Sequence, residues 1–125
     1  MGTPRELLEA EKPRRKFMNR PTEYDGQKFD SRKEAERYLE LRLMERAGAI
    51  SGLRRQVVFE LIPAQYVGGK FAERAVKYIA DFAYVDALTG ETVVEDVKSK
   101  ATITPEYIIK RKLLLYRFGI QIKQV

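Results

Sequence analysis

Chemistry in this sequence starts with Asp81 and Asp96, and with the Lys98 that follows shortly after. Residues 75–86, AVKYIADFAYVD, and Thr92–Lys98 are rich in β-branched and aromatic types and predict two strands. Ala87-Leu88-Thr89-Gly90 joins them as a hairpin loop. A symmetric loop sets Asp86 opposite Glu91, Tyr84 opposite Val93 and Asp81 opposite Asp96. Opposed residues on one face stand about 4.5–5.5 Å apart at Cβ, and like charges there destabilise a sheet. Such a pair calls for compensation, by a shared proton or a bound cation. The strand period puts Lys98 on the same face as Asp96 and turns Glu95 the other way. Two carboxylates beside an ammonium form an oxygen-donor site that suits Mg²⁺ or Mn²⁺. The plain alternative is a surface ion pair between Lys98 and Asp96. A bulge between the strands would undo the register, and Glu95 is the alternative ligand to Asp96.

Composition narrows the chemistry further. The 125 residues contain no Cys and no His. Thiol nucleophiles, thiolate or imidazole metal centres and His-based proton transfer are therefore excluded. Hydrolysis would rest on carboxylates, Lys, Tyr or a metal held by oxygen. The 24 Lys and Arg outnumber the 18 Asp and Glu, giving a net charge of +6 and a pI of about 9.6. That balance points to a polyanionic partner. Seven cations and one acid, Glu106, lie between Lys98 and Val125. A second cluster, Lys12, Arg14, Arg15, Lys16 and Arg20, holds no acid. A solvated basic face is the plain reading of both clusters; phosphate contact, with its salt dependence, is the functional one. The 44% hydrophobic content supports a single modest core. No apolar run reaches membrane-spanning length, and the N-terminus lacks the apolar stretch of a secretory signal, so a cytoplasmic location is expected.

The elements that must hold the acidic pair can also be read. Residues 1–28 mix charge with Pro4, Pro13, Pro21 and Gly26, which reads as an arm, with a short helix permitted near Leu7–Ala10. Ser31 followed by Glu34 forms a capping box that opens a helix ending at Gly48. Ala35, Leu39, Leu43 and Ala47 supply its apolar stripe, with Tyr38 and Leu41 beside it. Val57–Ile62 predict a strand, Pro63 points to a bulge or an edge position, and Gly68-Gly69 marks a turn. Thr104-Pro105-Glu106 starts a second helix, which runs through Tyr107–Arg117 to Gly119. Ile120, Ile122 and Val125 fit a last strand. The order is helix, three-stranded meander, helix, strand, an α+β fold with α/β-like character and helices on a small mixed sheet.

In this order and spacing the residues resemble the PD-(D/E)XK nuclease superfamily, whose core is αβββαβ. Asp81 within Tyr78-Ile79-Ala80-Asp81-Phe82 stands where the family has its first acid, and Asp96-Val97-Lys98 is similar to its acid-x-Lys triplet. The stretch FDSRKEAERYLEL resembles the helix that often adds a Glu. That nominates Glu34 as a further catalytic and metal-binding residue, with Glu36 as runner-up. More narrowly, residues 24–125 look like small phage- and prophage-associated endonucleases described as Holliday-junction-resolvase-like. The chain departs from the motif at Ala80, where the family name has Pro. The resemblance implies a restriction-endonuclease-like fold over residues 24–125, with a basic arm over residues 1–23.

The implied activity is Mg²⁺- or Mn²⁺-dependent hydrolysis of DNA phosphodiester bonds by metal-activated water, on branched structures such as a Holliday junction. Asp81, Asp96 and Glu34 would hold the ion, and Lys98 would orient the water or stabilise developing charge. Lys100, Tyr107, Lys110 and Lys112 are expected to contact the strand. Arg14, Arg15 and Lys16 would act as an arm that orders on duplex DNA. Gln56 either reaches the site or is an ordinary polar residue of the strand edge. Two symmetric cuts would require a homodimer. The rival readings are a nucleic-acid-binding module without catalysis, an RNA nuclease, and an interaction protein that docks an acidic partner. Aromatic residues do not interleave with the basic ones along the chain, which argues against base stacking as the main binding mode.

Overall fold

A computed structural model describes residues 22–24, 26–98 and 103–125. The elements are β1 (Thr22–Tyr24), β2 (Gln27–Phe29), α1 (Arg32–Arg46), β3 (Ile50–Ile62), β4 (Gln65–Val67), β5 (Lys70–Glu73), β6 (Val76–Asp86), β7 (Thr92–Asp96), α2 (Pro105–Phe118) and β8 (Lys123–Gln124). This is an α+β fold. The short helix near Leu7–Ala10 and the 12–20 basic cluster lie outside the described residues. No helix among the described residues is long and apolar enough to cross a membrane.

The chain divides into two compact units, with the boundary between Leu39 and Glu40, inside α1. In the first, β1 and β2 form an antiparallel hairpin, so the expected boundary between residues 23 and 24 falls within a strand. Tyr38 of α1 accepts a hydrogen bond from Gln27 Nε2 at 2.8 Å, and its ring packs 5.1 Å from that of Phe29. Ser31 Oγ accepts from Glu34 N at 3.1 Å, the half of the capping box that the Ser provides. The buried stripe of α1 departs from expectation. Ala35, Tyr38 and Leu41 are buried, whereas Leu43 is 62% exposed and Ala47 is exposed too. A stripe every fourth residue drifts round a helix of 3.6 residues per turn, and steps of three correct the drift.

The second unit is built on a four-stranded sheet of order β3-β6-β7-β8. β3, β6 and β7 are antiparallel neighbours, and β8 runs parallel to β7. The last strand is shorter than expected: only Lys123 and Gln124 join the ladder, although Ile122 is buried. β3 is longer, because Ile50–Gln56 already pair with or run beside β6. Leu61, Tyr78, Ala80, Ala83 and Val94 of the sheet form one core cluster with Tyr107 and Leu114 of α2. Arg117 adds a hydrogen bond from Nη1 to the Leu61 carbonyl at 2.8 Å.

α2 begins as its sequence predicts. Thr104 is the N-cap, its Oγ1 accepts from Tyr107 N at 3.1 Å, and Pro105 takes the first turn, where its missing N–H costs nothing. Gly119 closes the helix at φ 68°, a conformation that L side chains adopt only with strain. Replacing the cap, Thr104→Ala, is expected to cost about 1 kcal/mol. Urea unfolding of the two proteins at neutral pH measures that difference.

Candidate active site

The β6–β7 hairpin closes over residues 87–90. Asp86 N donates to Glu91 O at 2.9 Å, and Asp86 Oδ1 accepts from the backbone of Leu88 and Thr89. The ladder then pairs Val85 with Thr92, Tyr84 with Val93, Ala83 with Val94 and Phe82 with Glu95. One step further brings Asp81 beside Asp96, as the symmetric loop predicts. Backbone amides tie the two carboxylates together. Asp96 Oδ1 accepts from Asp81 N at 3.2 Å, and Asp81 Oδ2 accepts from Val97 N at 2.8 Å.

Asp96 is 3% exposed. Its Oδ2 accepts from the Tyr78 hydroxyl and faces Lys98 Nζ at 3.6 Å. Like-charge repulsion in the pair is therefore offset by two amides, a hydroxyl and an ammonium. Lys98 is fixed from its backbone as well: its N donates to Val125 O at 3.2 Å, while Val125 N donates to Asp96 O at 3.0 Å. The Lys98 ammonium lies 4.2 Å from the centre of the Tyr107 ring, a cation–π contact.

A groove of about 300 Å³ opens at this point, lined by Lys77, Tyr78, Lys98, Thr104, Tyr107 and Lys110 among others. Two of these, Tyr78 and Lys98, are the groups bound to Asp96 Oδ2. Three lysines, Glu106 and the first turn of α2 line the groove. A larger cavity of about 550 Å³ lies at the hairpin end of the sheet, among Met44, Ile50, Tyr84, Leu88 and Val93. It is the more apolar of the two.

Tyr78 is the participant that sequence reasoning missed. Burial, then its hydrogen bond to Asp96 and the charge of that carboxylate, push its hydroxyl well above the ordinary tyrosine range. Tyr107 shifts the same way, chiefly by burial, against the lowering effect of a hydrogen bond from Gln124 Nε2. Both stay protonated, and Tyr78 remains a donor to Asp96. A raised folded-state pKa contributes stability that is fully present below the unfolded value near 10 and is lost as pH rises towards the folded one. Tyr78→Phe should lower stability at pH 7 by about 1–3 kcal/mol and flatten the alkaline loss. Urea unfolding at pH 7 and above pH 10 tests both parts.

Gln56 carries a second unexpected feature. The pairs Arg55–Phe82 and Val57–Ala80 bracket it, so it sits level with Asp81, and its φ is 52°. A non-glycine residue in this left-handed region is strained by about 1–3 kcal/mol, and such strain concentrates at functional sites. Alternation on β6 breaks at the same level, since Ala80 and Ala83 belong to one core cluster despite opposite parity. The β6–β7 ladder is regular from Val85–Thr92 to Phe82–Glu95.

The other nominated residues fall as follows. Glu34 is buried on α1 in the first unit, and Glu36 is exposed and paired with Arg32 at 3.2 Å. Glu95 points away from Asp96, fully buried, and accepts from the Tyr84 hydroxyl. Tyr107 lines the groove but is only 6% exposed, so its ring is shared with the core instead of standing free for a strand. Lys110 pairs with Glu106 at 3.0 Å at the groove, and Lys112 is exposed. Lys100, Arg14, Arg15 and Lys16 lie outside the described residues. Among the described residues no group of three or more His, Cys, Asp or Glu is arranged to hold a metal ion. Asp81 and Asp96 offer carboxylate oxygens, the donor type that Mg²⁺ takes.

The family model described as a protein of unknown function (DUF1064) matches residues 14–124. No curated protein and no solved structure matches the chain.

Proposed function

The chain belongs to the DUF1064 family of proteins of unknown function, and from its own residues we propose that it is a divalent-metal-dependent DNA endonuclease of the PD-(D/E)XK type. The observation that carries this reading is the Asp81–Asp96 pair, bridged by backbone amides, with Lys98 at 3.6 Å from Asp96 beside a lysine-lined groove. Asp81 and Asp96 would hold the ion. When bound, it supplies a water of lowered pKa and positive charge at the phosphate oxygens. Lys98 stands where it can stabilise charge that develops on the phosphate. Tyr78 holds Asp96 by donating to Oδ2, and Lys77, Lys110 and the N-terminus of α2 attract the backbone of the strand. The substrate we favour is branched duplex DNA, and paired cuts across a junction would require two copies of the chain.

The test is a cleavage assay over linear, flap and four-way DNA, with Mg²⁺ or Mn²⁺ and with a chelator. Cuts that appear with the metal and vanish with the chelator are expected. Absence of metal-dependent cuts on every substrate would sink the proposal. One observation favours a second reading, a nucleic-acid-binding module without catalysis: both Asp96 oxygens already have protein partners. Calorimetric titration with Mn²⁺ separates the two. The nuclease gives heat that disappears in Asp81→Asn, and the module gives none.

A further inference from the structure

Between β3 and β6 the chain makes an arm that the catalytic reading leaves unused. β4 and β5 form a two-stranded sheet of their own, turned by Gly68 and Gly69 at φ 58° and 79°. Every residue of both strands is exposed. Tyr66 and Phe71 are direct cross-strand partners, with ring centres 5.8 Å apart at 77°. They remain 64% and 62% exposed, and Val67 beside them is 72% exposed. Lys70 adjoins Phe71, Arg74 follows the arm directly, and Lys77 shortly beyond lines the groove. The hairpin thus brings together two rings that lie five residues apart in the sequence, on a segment that carries Lys70 and leads into Arg74.

We propose that the Tyr66–Phe71 pair is a nucleobase-stacking wedge, which seats the protein where a duplex is interrupted. This rests on the nuclease reading for DNA as the partner. Base faces are hidden inside an intact duplex and become available at a branch, a flap or an end. Exposed rings stack on such faces whatever the sequence, while neighbouring cations hold the phosphates. A second copy of the chain is the poorer occupant. Two rings and a valine offer a few hundred Å² at most, against the roughly 800 Å² per partner of a stable interface. The net charge of +6 on each copy also opposes the contact.

The experiment compares the full chain with Tyr66→Ala/Phe71→Ala and with the conservative exchange Tyr66→Phe/Phe71→Tyr. Binding to a four-way junction and to a linear duplex is measured by anisotropy in chelator, with 2-aminopurine at the branch as a stacking probe. The double Ala variant should lose at least tenfold in junction affinity, less than twofold on the linear duplex, and the fluorescence change at the branch. The exchange variant should keep all three, which guards against a misfolded arm. Equal losses on both DNAs, no loss, or a dimer that the double variant converts to monomer would each overturn the wedge. Ring-dependent junction preference in a protein that cuts no DNA with Mg²⁺ supports the wedge and sinks the nuclease. Metal-dependent cutting without that preference does the reverse.

Discussion

Asp96→Asn should reduce Mg²⁺-dependent DNA cleavage by about a thousandfold or more, while affinity for DNA in chelator stays within about threefold of the wild type. The substitution keeps the size of the side chain, and an amide oxygen can still accept from Asp81 N. What it removes is the negative charge that faces Lys98 and would draw a divalent ion. A factor of a thousand corresponds to about 4 kcal/mol of lost transition-state stabilisation, the scale of a metal or of a fixed electrostatic donor in a dry site. Circular dichroism should be unchanged, because the Tyr78 hydroxyl can turn to donate to the amide oxygen or accept from its NH₂. Single-turnover cleavage at saturating protein isolates the chemical step. A well-folded Asp96→Asn protein that cuts at the wild-type rate would remove the acidic pair from the mechanism.

The largest effect on stability is expected at Leu114. It is fully buried where α2 meets Leu61, Tyr78 and Val94 of the sheet. Leu114→Ala deletes buried carbons and leaves a cavity that a β-sheet cannot collapse to fill, at a cost of about 2–5 kcal/mol. That is a large share of the roughly 5–15 kcal/mol that holds a domain of this kind folded. Denaturant unfolding gives the number directly. The same helix supplies Tyr107, Lys110 and the N-terminus that faces the groove. Loosening its seat should therefore weaken DNA binding even where the protein remains folded. A change below about 0.5 kcal/mol would mean that α2 is held by something other than this core.

Particular residues show how far the sequence could be read and where reading stopped. Thr104-Pro105 and Gly119 bounded α2 correctly because caps are local chemistry, decided by the conformations of a few neighbouring residues. Asp81 and Asp96 could be matched because a short symmetric loop fixes the register of the strands it joins. Tyr78 could not be foreseen at Asp96. Strict alternation turns it to the face opposite Asp81, yet its hydroxyl donates to Asp96. The apolar stripe of α1 was misplaced for a related reason. Leu43 has the right spacing, but tertiary packing chose the face that carries Tyr38.

The β4–β5 arm illustrates the same limit from the other side. Gly68-Gly69 announced a turn, yet nothing in the order of residues said that the flanking strands would pair with each other alone.

What the sequence determined by itself was therefore everything fixed by short-range rules: the absence of thiol and imidazole chemistry, the basic balance, the helix ends and the hairpin that pairs two acids. What only the tertiary structure decided was which further groups meet that pair: Tyr78, three residues before Asp81 on the same strand, and Lys98, fastened through the backbone of Val125. Those contacts join residues far apart along the chain, and their partners are selected by packing. Packing leaves no period or motif in the order of the amino acids.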